Sequence, residues 1–286
     1  MNVVLTVFYS SCSLFSILEH ACFACPDNVN HLSTLQVSSG CPPYLSEMKF
    51  THWLISQIKL FCSQKLMPEG LKKDCFQGIL AVLMNITEGN EKVAKSISGS
   101  DDLETLCNSF KYIVLQNNTS VPSIDTLKPW IDEVSTLLGI LINIVEADDA
   151  AIASIKSMSL PRYHTQDSRE SVLDIATLLF ILSKDEKSGT ESAGDGEVTL
   201  DSLRDGEGRA ISSVVGAYSG ILIGFLVVQD PLATSQALKL LEFDNLTPVI
   251  DNIRKCLAFY KNVGALTSKT ETSLQRLISR LEQPLP

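Results

Sequence analysis

Apolar residues recur every three or four positions through most of this chain, the spacing of one face of an α-helix. Two stretches, 82–97 and 140–155, repeat a larger pattern on top of it. Each reads as the end of a buried helix, a short polar break, then a shorter helix. Ile79, Leu80, Leu83 and Ile86 precede the first break; Leu137, Leu138, Leu141 and Ile144 precede the second. Both runs are apolar nearly all round, so each helix needs cover on most sides. The breaks are Thr87-Glu88-Gly89-Asn90 and Val145-Glu146-Ala147-Asp148. Gly89 suits the left-handed conformation that ends a helix, and Asn90 and Asp148 can cap the next one. Asn85 and Asn143 occupy equivalent places, 58 residues apart.

A weaker copy lies at 16–32, with Asn28 as the cap. A fourth lies at 220–241, where Gly224 stands in the asparagine's place and Asp230-Pro231 restarts the helix. Proline is tolerated at a first helical position. Helix, break and shorter helix in series predict an all-α fold, an armadillo/HEAT-like helical-repeat solenoid. The usual period is about 40–47 residues, so the longer spacing here calls for irregular connections. In chain order the pattern predicts helices over 3–24, 28–36, 46–64, 71–87, 91–98, 103–116 (capped by Asp101-Asp102), 123–145, 149–158, 168–182, 209–228, 231–241, 247–263 and 270–281. Strands are scarce, since alternation of period two is nowhere sustained. Residues 184–207 hold eight acidic side chains against three basic ones and are rich in Gly and Ser, so they read as a disordered acidic insertion. It interrupts the single domain expected over 1–286 without dividing it.

At 286 residues and 45% apolar content the chain can bury a large core. The net charge of −10 and the lack of any Lys/Arg cluster argue against direct nucleic-acid binding. Eight cysteines are present, and Cys75, Cys107 and Cys256 sit in apolar helical runs, as free thiols do in a reducing compartment. Asn85-Ile-Thr and Asn245-Leu-Thr match the glycosylation sequon by chance, the first inside a buried helix. Residues 3–18 are apolar but lack the basic flank of a signal peptide. Residues 210–228 carry no charge, and Gly216, Gly220 and Gly224 form a small-xxx-small pattern. Ser212, Ser213 and Ser219 make this a poor span, so the glycines read as close-packing positions of a central helix, with no membrane partner expected.

His20, Cys22, Cys25 and His31 are spaced as a zinc site could use, yet the cysteines lie in one apolar helix with no second knuckle. Core packing is the reading, with no metal and no cofactor. No nucleophile elbow, phosphate loop or H-E-x-x-H occurs, and no spacing draws Ser, His and Asp together, so no enzyme is expected. Asn85 and Asn143 read as structural ties between helix ends; the alternative is a clamp on an extended peptide, as in armadillo adaptors of transport or signalling. Exposed polar positions near the breaks are the candidate partner contacts: Glu88, Asn90, Glu91, Lys92, Asp148, Arg254 and Lys261.

The C-terminal part resembles the end of the Wings-apart-like (Wapl) cohesin-release domain. The resemblance is carried by AYSGILIGFL at 217–226, Asp230-Pro231, LTPVIDNIRKCLAFYKNVGAL at 246–266 and SLQRLISRLE at 273–282. Upstream, ILEHACFACPDNVNHL at 17–32 and LLGILINIVE at 137–146 look like the family's recurring units, and an acidic insertion precedes its final helices. The resemblance implies a non-enzymatic, HEAT-like regulator that promotes cohesin release from chromatin and limits sister-chromatid cohesion. The implied partners are cohesin's ATPase head and its HEAT-repeat accessory subunits, in the nucleus on chromatin. That family's long disordered N-terminal region and first helices are missing before Met1, so an N-terminally truncated domain is expected.

Overall fold

The structure is a computed structural model that describes residues 13–23, 25–39, 46–63, 69–115, 124–158, 160–161, 169–185, 200–228, 230–264 and 266–283. It is all-α, of helical-repeat type, with two short antiparallel strand pairs among the described residues. The chain forms two compact units. One takes Met1–Ile113 and Asp132–Ile155, the other Val114–Ile131 and Lys156–Pro286.

The first unit begins with α1 (13–22), α2 (Pro26–Thr34) and a hairpin of β1 (Gln36–Ser39) and β2 (Ser46–Lys49), in which Gln36 faces Lys49. Then come α3 (Phe50–Ser63), α4 (Glu69–Thr87), α5 (Glu91–Ser98) and α6 (Asp101–Leu115). The unit is completed by α8 (Ile131–Ala147) and most of α9 (Asp149–Ser157). Its core joins apolar residues read from the repeats, Ile79, Leu80, Leu83, Ile86, Leu137 and Leu141, to Leu54, Ile55 and Ile58 of α3, all fully buried. At roughly 1.5–3 kcal/mol per buried aliphatic side chain, this set supplies the main drive for the unit to form.

The second unit holds the short α7 (Ile124–Leu127), a 3-10 turn at Lys128–Trp130, and β3 (Leu160–Pro161) paired with β4 (Arg169–Glu170). Its body is α10 (Val172–Asp185), α11 (Leu200–Val227), α12 (Pro231–Leu241), α13 (Thr247–Asn262) and α14 (Ser268–Leu281). Helix α11 is the centre, packed by α10, α12, α13 and α14. Gly216, Gly220 and Gly224 face those neighbours closely. No described helix is long and apolar enough to cross a membrane.

Several boundaries differ from the sequence reading. Asn28 is not the cap of α2: Cys25 holds that position, Pro26 opens the helix, and the Asn28 amide donates to the Ala21 carbonyl at 2.6 Å. The helix expected over 123–145 is broken, because Pro129 lacks the N–H a continuous helix needs and the chain tightens to a 3-10 turn there. Residues 36–39 and 46–49 are strands rather than loop and helix. Helix α11 starts at Leu200, so the last eight residues of the acidic stretch 184–207 are helical, as are Lys184 and Asp185 at the end of α10. Gly206 and Gly208 are carried inside a helix of 28 residues. The rest of the stretch, and residues 3–12 of the first expected helix, lie outside the described residues. Cys75 is disulfide-bonded rather than a free thiol.

Candidate partner-binding groove

The break between α4 and α5 forms one wall of a groove in the first unit. Gly89 takes a positive φ of 64° and turns the chain. Asn90 then caps α5, its side-chain oxygen accepting from the Val93 N–H at 3.4 Å. The opposite wall is the end of α1 and the start of α2. Between them lies a cavity of about 760 Å³ lined by Cys22, Phe23, Cys25, Pro26, Val29 and Asn30 on one side. Asn85, Glu88, Gly89, Asn90, Glu91 and Lys92 line the other. Phe23 is 74% exposed there, a large apolar ring left in water at the mouth. The lining therefore combines an apolar side, side-chain amides and both signs of charge.

Five of the nine positions singled out from the sequence meet in this groove: Asn85, Glu88, Asn90, Glu91 and Lys92. The other four do not. Asp148 accepts from the Ser98 hydroxyl and from the Ala150 N–H at 3.1 Å, so it joins the end of α5 to the start of α9. Asn143 donates to the Thr87 hydroxyl at 3.1 Å, at the last turn of α4. In the second unit Arg254 is paired with Asp251 at 3.1 Å and with Glu282, and Lys261 with Glu271 at 2.7 Å. Both cations are thus engaged in ties between α13 and α14 or along α13. Asn85, although it lines the groove, gives its N–H to the Glu19 carbonyl of α1 at 3.3 Å.

One cluster escaped sequence reasoning. His52 of α3 is bonded through Nδ1 to Asp102 of α6 and through Nε2 to the Ser96 hydroxyl of α5 at 3.2 Å. The spacing that hid it is 50 residues on one side and 44 on the other. The order of groups is that of a hydrolase triad, which also needs backbone donors beside the serine to hold an oxyanion. Ser96 is the sixth residue of α5, where its own N–H belongs to the helix ladder. The cluster ties three helices together, and Lys49 adds a contact to Ser96 at 3.5 Å.

Among the described residues no group of three or more His, Cys, Asp or Glu side chains could hold a metal ion. His20 is spent on the Ser16 carbonyl at 2.6 Å. Among the described residues two carboxyls are perturbed. Asp230 caps α12 through the Leu232 and Ala233 N–H groups, both at 3.0 Å, and the Lys156 ammonium beside it holds its carboxyl below the usual carboxylate range. Glu133, in the first turn of α8, is fully buried, and neither oxygen makes a well-formed hydrogen bond; burial pushes its carboxyl up, against smaller opposing pulls from its own backbone N–H and from Lys73.

No family model matches the chain. Among curated proteins it is similar to Wings apart-like protein 1 of Arabidopsis thaliana, 23% identical over 229 residues, which is 74% of this chain and 25% of that protein. It is likewise 23% identical to Wings apart-like protein 2 of the same plant, over 75% of this chain and 27% of that protein. The chain thus spans about a quarter of the length of the curated relatives it matches. The two matches support a Wapl-like relationship.

Proposed function

We propose that this chain is a non-enzymatic regulator of cohesin of the Wapl type, promoting release of cohesin from chromatin and so limiting sister-chromatid cohesion. The observation that carries this reading is the similarity to two Wings apart-like proteins along three quarters of the chain. A helical-repeat fold suits it, since such folds present docking surfaces made by stacked helices. The partners are cohesin's ATPase head and its HEAT-repeat accessory subunits, and the place of action is the nucleus, on chromatin. The groove at the α4–α5 break is the surface we assign to docking. Its apolar mouth and its amides also favour a second reading, a generic armadillo-type adaptor that holds an extended peptide.

The test is recovery of partners from nuclear extract on the immobilised chain. Cohesin subunits should be retained, and Phe23→Ala together with Glu88→Lys should reduce their retention at unchanged helical content. Retention of transport cargo or signalling proteins without cohesin would replace this reading by the adaptor.

A further inference from the structure

The metal-like spacing of Cys22 and Cys25 finds no use in a docking scaffold, yet the structure gives the pair a definite setting. Cys22 is the last residue of α1 and is 2% exposed; Cys25 is the cap position of α2 and half-buried. The Cys25 N–H donates to the Cys22 carbonyl at 3.1 Å. A bond from residue i+3 back to residue i closes a turn whose end Cα atoms lie within about 7 Å. Disulfides bridge Cα atoms about 4.4–6.8 Å apart. Both cysteines are free, and both line the groove. We propose that Cys22 and Cys25 are a vicinal dithiol at the groove wall that is converted to a disulfide by a small-molecule disulfide oxidant.

The two sulfurs have different parts. Cys25, reachable from the groove, is the attacking thiol: as its thiolate it attacks one sulfur of the oxidant. A mixed disulfide forms and the first oxidant thiol leaves. Cys22, next to it, then loses its proton and attacks the Cys25 sulfur; the intramolecular bond forms and the second thiol leaves. Two protein thiols are oxidised and one disulfide oxidant is reduced to two thiols. Burial, and the neighbouring Cys25, raise the Cys22 thiol, which fits the resolving role rather than the attacking one. The other buried thiols stay out of exchange: burial pushes Cys107 up to about 12 and Cys256 up to about 11.

The experiment incubates the full chain with oxidised and reduced glutathione at graded ratios, blocks remaining thiols with N-ethylmaleimide, and locates the modifications by peptide mass spectrometry. The expected result is joint loss of labelling at Cys22 and Cys25, a mass lower by two hydrogens, and full recovery on reduction. In Cys22→Ser the same treatment should leave Cys25 carrying glutathione. Complete labelling of both residues at every ratio overturns the proposal. So does a glutathione adduct that persists on Cys25 in the unmodified chain, because it shows that Cys22 cannot reach. Far-UV circular dichroism of each variant separates loss of reactivity from loss of fold.

Discussion

Helices α4 and α8 of the first unit carry an asparagine where α11 of the second carries Gly224, and the surroundings of the three positions are opposite. Asn143 reaches out to the Thr87 hydroxyl, and Asn85 to the Glu19 carbonyl, so each amide spans to the last turns of a preceding helix. At Gly224 nothing reaches out; a Cβ there would sit 3.2 Å from methyls of Leu277 and Leu281 and 3.3 Å from Ile253. The same helix–break–helix pattern thus keeps its neighbours at amide length in one unit and at backbone contact in the other. Glycine costs a helix about 1 kcal/mol relative to alanine, and α11 carries three in a row at i, i+4 and i+8. That cost is offset only if close packing returns more.

The comparison is broken most forcefully at the glycines. A Cβ at Gly216 would meet the Ser183 hydroxyl at 2.4 Å and its Cβ at 3.0 Å, and Ser183 is itself buried and bonded to the Phe180 carbonyl. At Gly220 it would meet Asn252 at 2.9 Å and the Phe180 ring at 3.1 Å. Gly216→Val or Gly220→Leu should therefore cost about 3 kcal/mol or more through overpacking, seen as a lower denaturant midpoint. Gly224→Ala is the control: the methyls facing it need yield only slightly, and the gain in helix propensity leaves the net change within about 1 kcal/mol. An equal, large loss at all three would mean that α11 cannot tolerate side chains at all, whatever their neighbours.

The asparagines sharpen the comparison at a smaller scale. Asn143→Ala removes the hydrogen bond to Thr87 and a weaker one to the Met84 sulfur at 3.6 Å and should cost about 1–2 kcal/mol. Thr87 keeps its own donor satisfied by the Leu83 carbonyl at 2.9 Å, so no orphaned donor adds to the loss. Asn85→Ala, with the longer bond, should cost about 1 kcal/mol. Asn143→Gly should be worse than Asn143→Ala by about 1 kcal/mol, since nothing there calls for a glycine. If Asn143→Gly were as stable as Asn143→Ala, the Asn143 site would accept a glycine as α11 does at Gly224, and the two units would not differ in this respect.

The breaks themselves differ in electrostatics. Asn90 caps α5 with one long bond, whereas Asp230 caps α12 with two and is paired with Lys156. Asp230→Ala should cost about 1–2 kcal/mol at neutral pH and Asn90→Ala about 1 kcal/mol or less. Because the folded-state pKa of Asp230 lies below its unfolded value, its contribution is complete above about pH 4. It is lost as pH falls through the lowered pKa, so the two variants' deficits converge in acid, as thermal melts between pH 7 and 2 would show.

How much of this could be read beforehand follows from the range of each interaction. The breaks, the Asp230-Pro231 restart and the glycine row are local, and periodicity alone placed them. The hairpin was invisible because 36–39 and 46–49 hold one bulky apolar residue each, too few to display alternation. The start of α11 was missed because acidic and glycine-rich composition outweighed the leucines at 200 and 203. Five groove residues were found because they crowd one break. Phe23 and Val29 were not, because an apolar residue within a helical run gives no sign that tertiary packing will leave it at an opening. The His52–Asp102–Ser96 tie joins residues far apart in the chain, and nothing but the fold brings them together.

Glu133 limits the claim that polar side chains hold the first unit together. Unlike Asn143 it makes no well-formed hydrogen bond through its carboxyl, and burial raises its pKa. The folded protein therefore binds this proton more tightly than the unfolded chain does. Stability through Glu133 is greatest below its unfolded value of about 4.3 and declines as pH rises toward the raised pKa, because ionisation is easier in the unfolded state. Glu133→Gln removes the ionisation and keeps the shape. It should stabilise the protein at pH 7 and have no favourable effect at pH 4, which flattens the neutral-to-acid slope of the melting temperature. A loss at pH 7 would mean that the charge is used, and that the first unit depends on its buried polar groups more widely than the two asparagines suggest.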